Sequence, residues 1–155
     1  MRKQILNSSS EATPSGAWLD LERVARVEIS SESAAYPIES ALIPDRGPGW
    51  RAAQAGKQTI RLIFDTPLSL ERVLLRFDEK EHARTQEFVL RWVAEGQQSP
   101  REIVRQQYTF SPPATDREIE DYHVNLSGVR ALELEVVPDI SGGGAQASLA
   151  QMRLA

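Results

Sequence analysis

At 155 residues the chain is long enough for one buried core and too short for two ordinary domains. Its hydrophobic share of 41% and charged share of 26% are those of a folded globular protein and exclude wholesale disorder. A net charge of -4 lacks the basic excess used to grip a nucleic-acid backbone, and the absence of cysteine excludes disulfides, thiolate metal sites and cysteine nucleophiles.

The chain begins Met1-Arg2-Lys3, but no apolar run follows of the roughly seven residues that a secretory signal needs. No stretch approaches the roughly 18 apolar residues of a membrane span, so a cytoplasmic location is expected. Residues 7–16 are rich in Ser with Thr, Pro and Gly, and a flexible tail is predicted over residues 1–17. Residues 18–155 are predicted to form one domain. A helical turn fits the segment Ala17 to Arg26, where Leu19, Glu22, Arg23 and Arg26 suit it.

From there the hydrophobic period is two, the spacing that sends alternate side chains to opposite faces of a strand. Val27 and Ile29 open the series. Ile60, Leu62 and Phe64 follow, then Val73, Leu75 and Phe77, and then Phe88, Leu90 and Trp92. Tyr122, Val124 and Leu126 continue it, and Leu132, Leu134 and Val136 close it. Polar residues occupy most positions between, which describes antiparallel sheets wetted on one face. Two further strands are predicted at Ile103 to Phe110 and Ser148 to Leu154. Turn chemistry separates the runs at Asp65-Thr66-Pro67, Glu95-Gly96-Gln97, Ser111-Pro112-Pro113, Ser127-Gly128 and residues 138–144. There is no room for the helical crossovers of a parallel sheet. The expected fold is all-β, an antiparallel eight-stranded jelly-roll β-sandwich.

Three places carry chemistry. Tyr36, in the loop after the first strand, is either a stacking surface or a ring packed over the barrel end. Trp50 and Arg51 follow Gly47-Pro48-Gly49; Trp50 either stacks on a sugar face or anchors the core, and Arg51 suits hydroxyl groups. The densest polar loop runs from Asp78 to Arg84, where Asp78, His82 and Arg84 have the groups to bond a polyol or an anion. That loop's single histidine among three carboxylates lacks an established metal-ligand spacing. The acidic run Asp116 to Asp121 reads as a solvated rim, and Gly142-Gly143-Gly144 either as a flexible turn or as backbone N–H groups exposed to an anion.

Taken in order, these pieces resemble the discoidin family, the coagulation-factor type C or galactose-binding-like domains. The resemblance rests on Val27-Glu28-Ile29-Ser30-Ser31-Glu32, on Ala41 to Asp45 followed by Gly49-Trp50-Arg51-Ala52, and on Gln58 to Phe64 followed by Pro67 and Val73. Val129 to Val136 and Ser148 to Leu154 complete it. It implies an eight-stranded jelly roll with ligands at the loops of one end, where the Asp78 to Arg84 loop falls. It also implies a structural calcium, with Asp45 as its ligand. Three departures weaken the sugar and calcium sites: residues 141–145 carry no aromatic, Gln151 stands where a glutamate would help hold calcium, and Pro48-Gly49 replaces a hydroxyl ligand.

Two histidines and no Gly-x-Ser-x-Gly elbow give no support to triad chemistry, and nothing marks a pair among the 22 acidic residues as a glycosidase couple. The expected function is a non-catalytic binding module for carbohydrate or a small polar ligand at the loop end. The alternative is a cytoplasmic protein–protein interaction or assembly domain.

Overall fold

The computed structural model describes residues 18–155, and the tail expected at 1–17 lies outside the described residues. Among the described residues two short helices, α1 (Leu21–Val24) and α2 (Glu39–Leu42), accompany eight strands. These are β1 (Ala25–Ile29), β2 (Trp50–Ala55), β3 (Gln58–Asp78), β4 (Arg84–Ala94), β5 (Arg101–Phe110), β6 (Arg117–Val137), β7 (Gln146–Leu149) and β8 (Gln151–Leu154). All pairings are antiparallel. The fold class is the expected all-β sandwich, but its strands are divided differently from the periodic runs.

The runs at Ile60 to Phe64 and Val73 to Phe77 are two halves of one 21-residue strand, β3. Tyr122 to Leu126 and Leu132 to Val136 are likewise halves of the 21-residue β6. Asp65-Thr66-Pro67 and Ser127-Gly128, expected as turns, are irregularities inside a continuous ladder. Ile63 pairs with Ala131 and Leu68 with Val129, so β3 advances five residues while β6 advances two. From Leu68 to Leu70 the excess passes to β6, which runs from Val129 to Leu126. Pro67 has no N–H to give a ladder, and Gly128 takes φ 63, a left-handed value that suits a bulge. Extra residues bend a strand and let it pass from one layer of a sandwich to the other.

The two halves accordingly have different neighbours. The first half of β3 lies between β1 and the second half of β6, which continues to β4 and β5. The second half of β3 lies between β8 and the first half of β6. Phe77 from that second half stacks on Phe88 of β4 at 5.2 Å, and Phe88 meets Tyr122 edge-on at 6.4 Å. The alternating apolar positions therefore meet in one core, where Ile60, Leu62, Leu75, Phe77, Phe88 and Leu134 are almost fully buried. Burying each such side chain stabilises the fold by about 1.5–3 kcal/mol.

The expected last strand, Ser148 to Leu154, breaks at Ala150 into β7 and β8. β7 leaves the main sheet to pair with β2, placing Trp50 opposite Leu149 and Arg51 opposite Ser148. At the entry to β2 the backbone of Gly49 passes so close to this break that a Cβ would stand 2.6 Å from the Leu149 carbonyl oxygen and 2.8 Å from Ala150 Cα. Gly49 also has φ 122, and its N–H donates to Ser40 Oγ of α2 at 3.2 Å. Replacing Gly49 by Ala should therefore cost about 2–4 kcal/mol through backbone strain and overpacking. Chemical denaturation of G49A against the parent chain checks this, and an unchanged midpoint would contradict the close approach.

Candidate ligand-binding cleft

Alternation along β2 turns Trp50 inward and Arg51 outward, and the β2–β7 register sets Ser148 beside Arg51 on the outer side. Two loops approach this small sheet. Residues 79–83 carry the chain from β3 to β4, and residues 138–145 carry it from β6 to β7. Between loops and sheet lies a cleft of about 660 Å³ whose lining includes Arg51, Ser148, Lys80, His82, Asp139 and Gly143.

Glu79 organises the first loop. Its Oε2 accepts the N–H groups of Glu81 at 2.9 Å and His82 at 3.1 Å, and its Oε1 accepts Arg84 Nε at 2.6 Å. Arg84 also donates through Nη1 to the Pro138 carbonyl at 2.8 Å, where the second loop begins. Its guanidinium stacks on Phe110 at 4.8 Å. One buried arginine thus ties both loops to β4. These bonds hold the Glu79 carboxyl below the usual carboxylate range, although burial alone would raise it. Asp78 is lowered in the same way, receiving Arg76 at 2.8 Å and Arg117 at 2.9 Å.

The structure sorts the six candidate binding residues. Arg51, Asp78, His82 and Arg84 converge on the cleft. Tyr36 flanks it, with the Arg51 guanidinium 4.6 Å over its ring. Trp50 does not present a stacking surface: it is 1% exposed and donates from Nε1 to the Ser31 carbonyl at 3.0 Å, making it the core anchor of β2. Arg84 is also corrected, because its side chain is 2% exposed and committed to Glu79 and Pro138. It shapes the cleft from below, and the Nη2 that it leaves without a partner among the described residues is buried instead of offered at the surface. Sequence reasoning missed Glu79, Ser148 and Asp139. Glu79 carries no signal beyond its place in the polar loop, whereas Ser148 was legible as the outward residue between buried Ala147 and Leu149.

Behind Arg84 the expected solvated rim is partly buried. Glu118 is 1% exposed and accepts Gln86 Nε2 at 3.1 Å. Alternation puts Glu118 and Glu120 on the same inward side of β6. Burial, then the adjacent Glu120, pushes the Glu118 carboxyl up to about 8.

Asp45 occupies an exposed turn with φ 62. Among the described residues no group of three or more His, Asp or Glu is arranged to hold a metal. Instead a buried cation of the chain itself serves this region. Arg153 donates to the Ala41 carbonyl of α2 at 2.8 Å; burial lowers its affinity for a proton while the charge of Asp45 raises it. An arginine whose charge is felt at Asp45, together with the neutral Gln151, does not fit a calcium site.

No family model matches the sequence, and no curated protein matches it. Solved structures do match in three dimensions. A pectin-binding carbohydrate-binding module aligns with TM-score 0.61 at 14% identity, covering 85% of this chain and 90% of that one. The family 32 carbohydrate-binding module of NanJ from C. perfringens, solved with galactose, aligns with TM-score 0.62 at 9% identity over 88% and 96%. An F5/8 type C domain from Bacteroides fragilis aligns with TM-score 0.58 at 14% identity over 88% and 93%. The chain therefore has the discoidin-type, galactose-binding-like fold, as the sequence resemblance implied.

Arg84→Ala should cost about 2–4 kcal/mol, because it strands a half-buried carboxylate and an unpaired carbonyl, whereas His82→Ala at an exposed loop position should stay within about 0.5 kcal/mol. Urea denaturation of both variants checks this. Glu118 has a folded pKa of about 8, above its ordinary 4.5, so the folded state holds a proton that the unfolded state releases. Its stabilising contribution is complete below pH 4.5 and declines until pH passes about 8. The melting temperature should fall across that window, and Glu118→Gln should flatten the fall; an identical slope in E118Q would refute the assignment.

Proposed function

We propose that this chain is a non-catalytic carbohydrate-binding module that receives a saccharide in the cleft between β2, β7 and the two loops. The observation that carries the reading is a polar cleft of about 660 Å³ at the loop end of a fold shared with carbohydrate-binding modules. A volume of that size accommodates one to a few sugar units, and convergent polar groups on a rigid scaffold suit hydroxyl-rich ligands. Among the described residues the exposed large hydrophobics are Ile119 and Ile140, at 58% and 51%. Such single apolar residues do not make the contiguous patch of a docking face.

The carboxylates support a binding role over hydrolysis. Glycosidases need a carboxylic acid that keeps its proton near neutral pH, opposite a second carboxylate. In this cleft Asp78, Glu79 and Asp139 are all shifted the other way, held ionised by Arg76, Arg84 and Ser141. Among the described residues the glutamate with a strongly raised pKa, Glu118, is buried behind Arg84.

Amide NMR titration of the labelled chain with a panel of mono- and oligosaccharides tests the proposal. Saturable shifts should gather at Arg51, Lys80 to Ala83 and Gly142 to Ser148. Absence of shifts with every sugar, or shifts centred on Ile119 or Ile140, would overturn it.

A further inference from the structure

Resting on the saccharide reading, we infer that the ligand is an acidic saccharide, a uronate, whose carboxylate is received by the Arg51 guanidinium. The charged groups around the cleft differ in what they already bind. Lys80 is paired with Asp116 at 2.9 Å and Arg84 with Glu79 at 2.6 Å. Asp78 is held by both Arg76 and Arg117. Asp139 accepts the Ser141 hydroxyl at 2.7 Å, and Glu81 lies 3.7 Å from His82 Nε2. Asp78 and Glu79 are thus answered by arginines of the chain, while the exposed Glu81 and the half-buried Asp139 keep their charge at the outer loops. Arg51 has no such partner: among the described residues its guanidinium makes no ion pair and no hydrogen bond, and its contact is the face of Tyr36.

Arg51 is nonetheless held in place. Its N–H donates to the Tyr36 carbonyl at 3.2 Å, its carbonyl accepts Ser33 N–H at 2.8 Å, and it pairs across the ladder with Ser148. Stacking on Tyr36 orders the guanidinium plane and leaves its N–H edge free. A planar fork of donors ordered in this way matches a carboxylate through two parallel bonds, which a neutral hydroxyl cannot reproduce. Ser148 stands beside it with a hydroxyl for a neighbouring sugar oxygen. Asp78, the acidic residue sharing the rim with Arg51 and Tyr36, would repel such a ligand if its charge were free. Two arginines neutralise it, so the carboxylate nearest to Arg51 on this rim does not cancel the charge that Arg51 offers.

The test compares matched ligands on the full chain by NMR titration. Oligogalacturonate is set against its methyl ester, and oligomannuronate against the carboxyl-reduced oligomer. The acidic member of one pair should bind about tenfold more tightly than its neutral counterpart, with a preference that shrinks as salt is raised. In Arg51→Gln the ratio of acidic to neutral affinity should collapse towards one, and Arg51→Lys should restore it only in part, since an ammonium lacks the fork. The salt dependence of the unaltered chain gives a reading that needs no variant. If neutral members bind as well as acidic ones, or if R51Q keeps the acidic preference, the inference is wrong and the saccharide reading stands. If no member of either pair and no sugar of the wider panel binds, both fall together.

Discussion

The pairing of β3 with β6 is the constraint on which the rest of the structure depends. Each strand has 21 residues, and they stay in one antiparallel ladder from Gln58 opposite Val136 to Asp78 opposite Arg117. A flat ladder of that length could not close a core. Extra residues near Asp65-Thr66-Pro67 on one strand and Ser127-Gly128 on the other bend it, and two strands thereby serve both layers. The bend also decides where chain ends and loops go. It brings the C-terminus of β3 and the C-terminus of β6 to the same end of the sandwich, and the loops leaving those points form the cleft. The hydrogen bond from Arg84 to the Pro138 carbonyl shows how near the two exits lie.

This arrangement explains which parts of the fold were legible in the sequence. Alternation reports which face a residue occupies, and it was right for nearly every apolar position. It does not report continuity. A bulge needs the same glycine and proline that a turn needs, so Pro67 and Gly128 read as strand ends. β2 escaped notice because Ala52, Ala53 and Ala55 have little preference for strands, and only their pairing with β7 makes one. The acidic run 116–121 failed for another reason. Its composition suggested a wetted rim, yet alternation continued backward from Tyr122 sets Glu120 and Glu118 on the inner face. Pattern was a better guide there than polarity, and the cost of burying Glu118 is met by protonation.

The candidate site was legible as a loop but not as a mechanism. The density of charge from Asp78 to Arg84 marked the place. Which charges were spoken for depended on residues far along the chain: Arg117 for Asp78, Asp116 for Lys80 and the Pro138 carbonyl for Arg84. Sequence neighbours could not reveal these partners. At Trp50 the structure selects the core-anchor reading over the stacking one, and the plain Arg51 beside it faces the cleft.

The same bonds bear on how tightly the cleft could hold a small polar ligand. A saccharide offers hydroxyls that are already well solvated, so each hydrogen bond to protein returns little net free energy. Much of what remains is decided by how little order must be lost on binding. Here the ordering is done in advance. Glu79 fixes the amides of Glu81 and His82, Arg84 joins both loops to a strand, and Tyr36 stacks the Arg51 guanidinium, which among the described residues has no ion pair. Gly142 and Gly143, with φ 88 and 90 and no side chains, leave one wall adaptable. A ligand entering between these walls meets one rigid charged side and one yielding backbone side. Recognition then rests chiefly on the rigid side, where Arg51 is the charge left over for a ligand to answer.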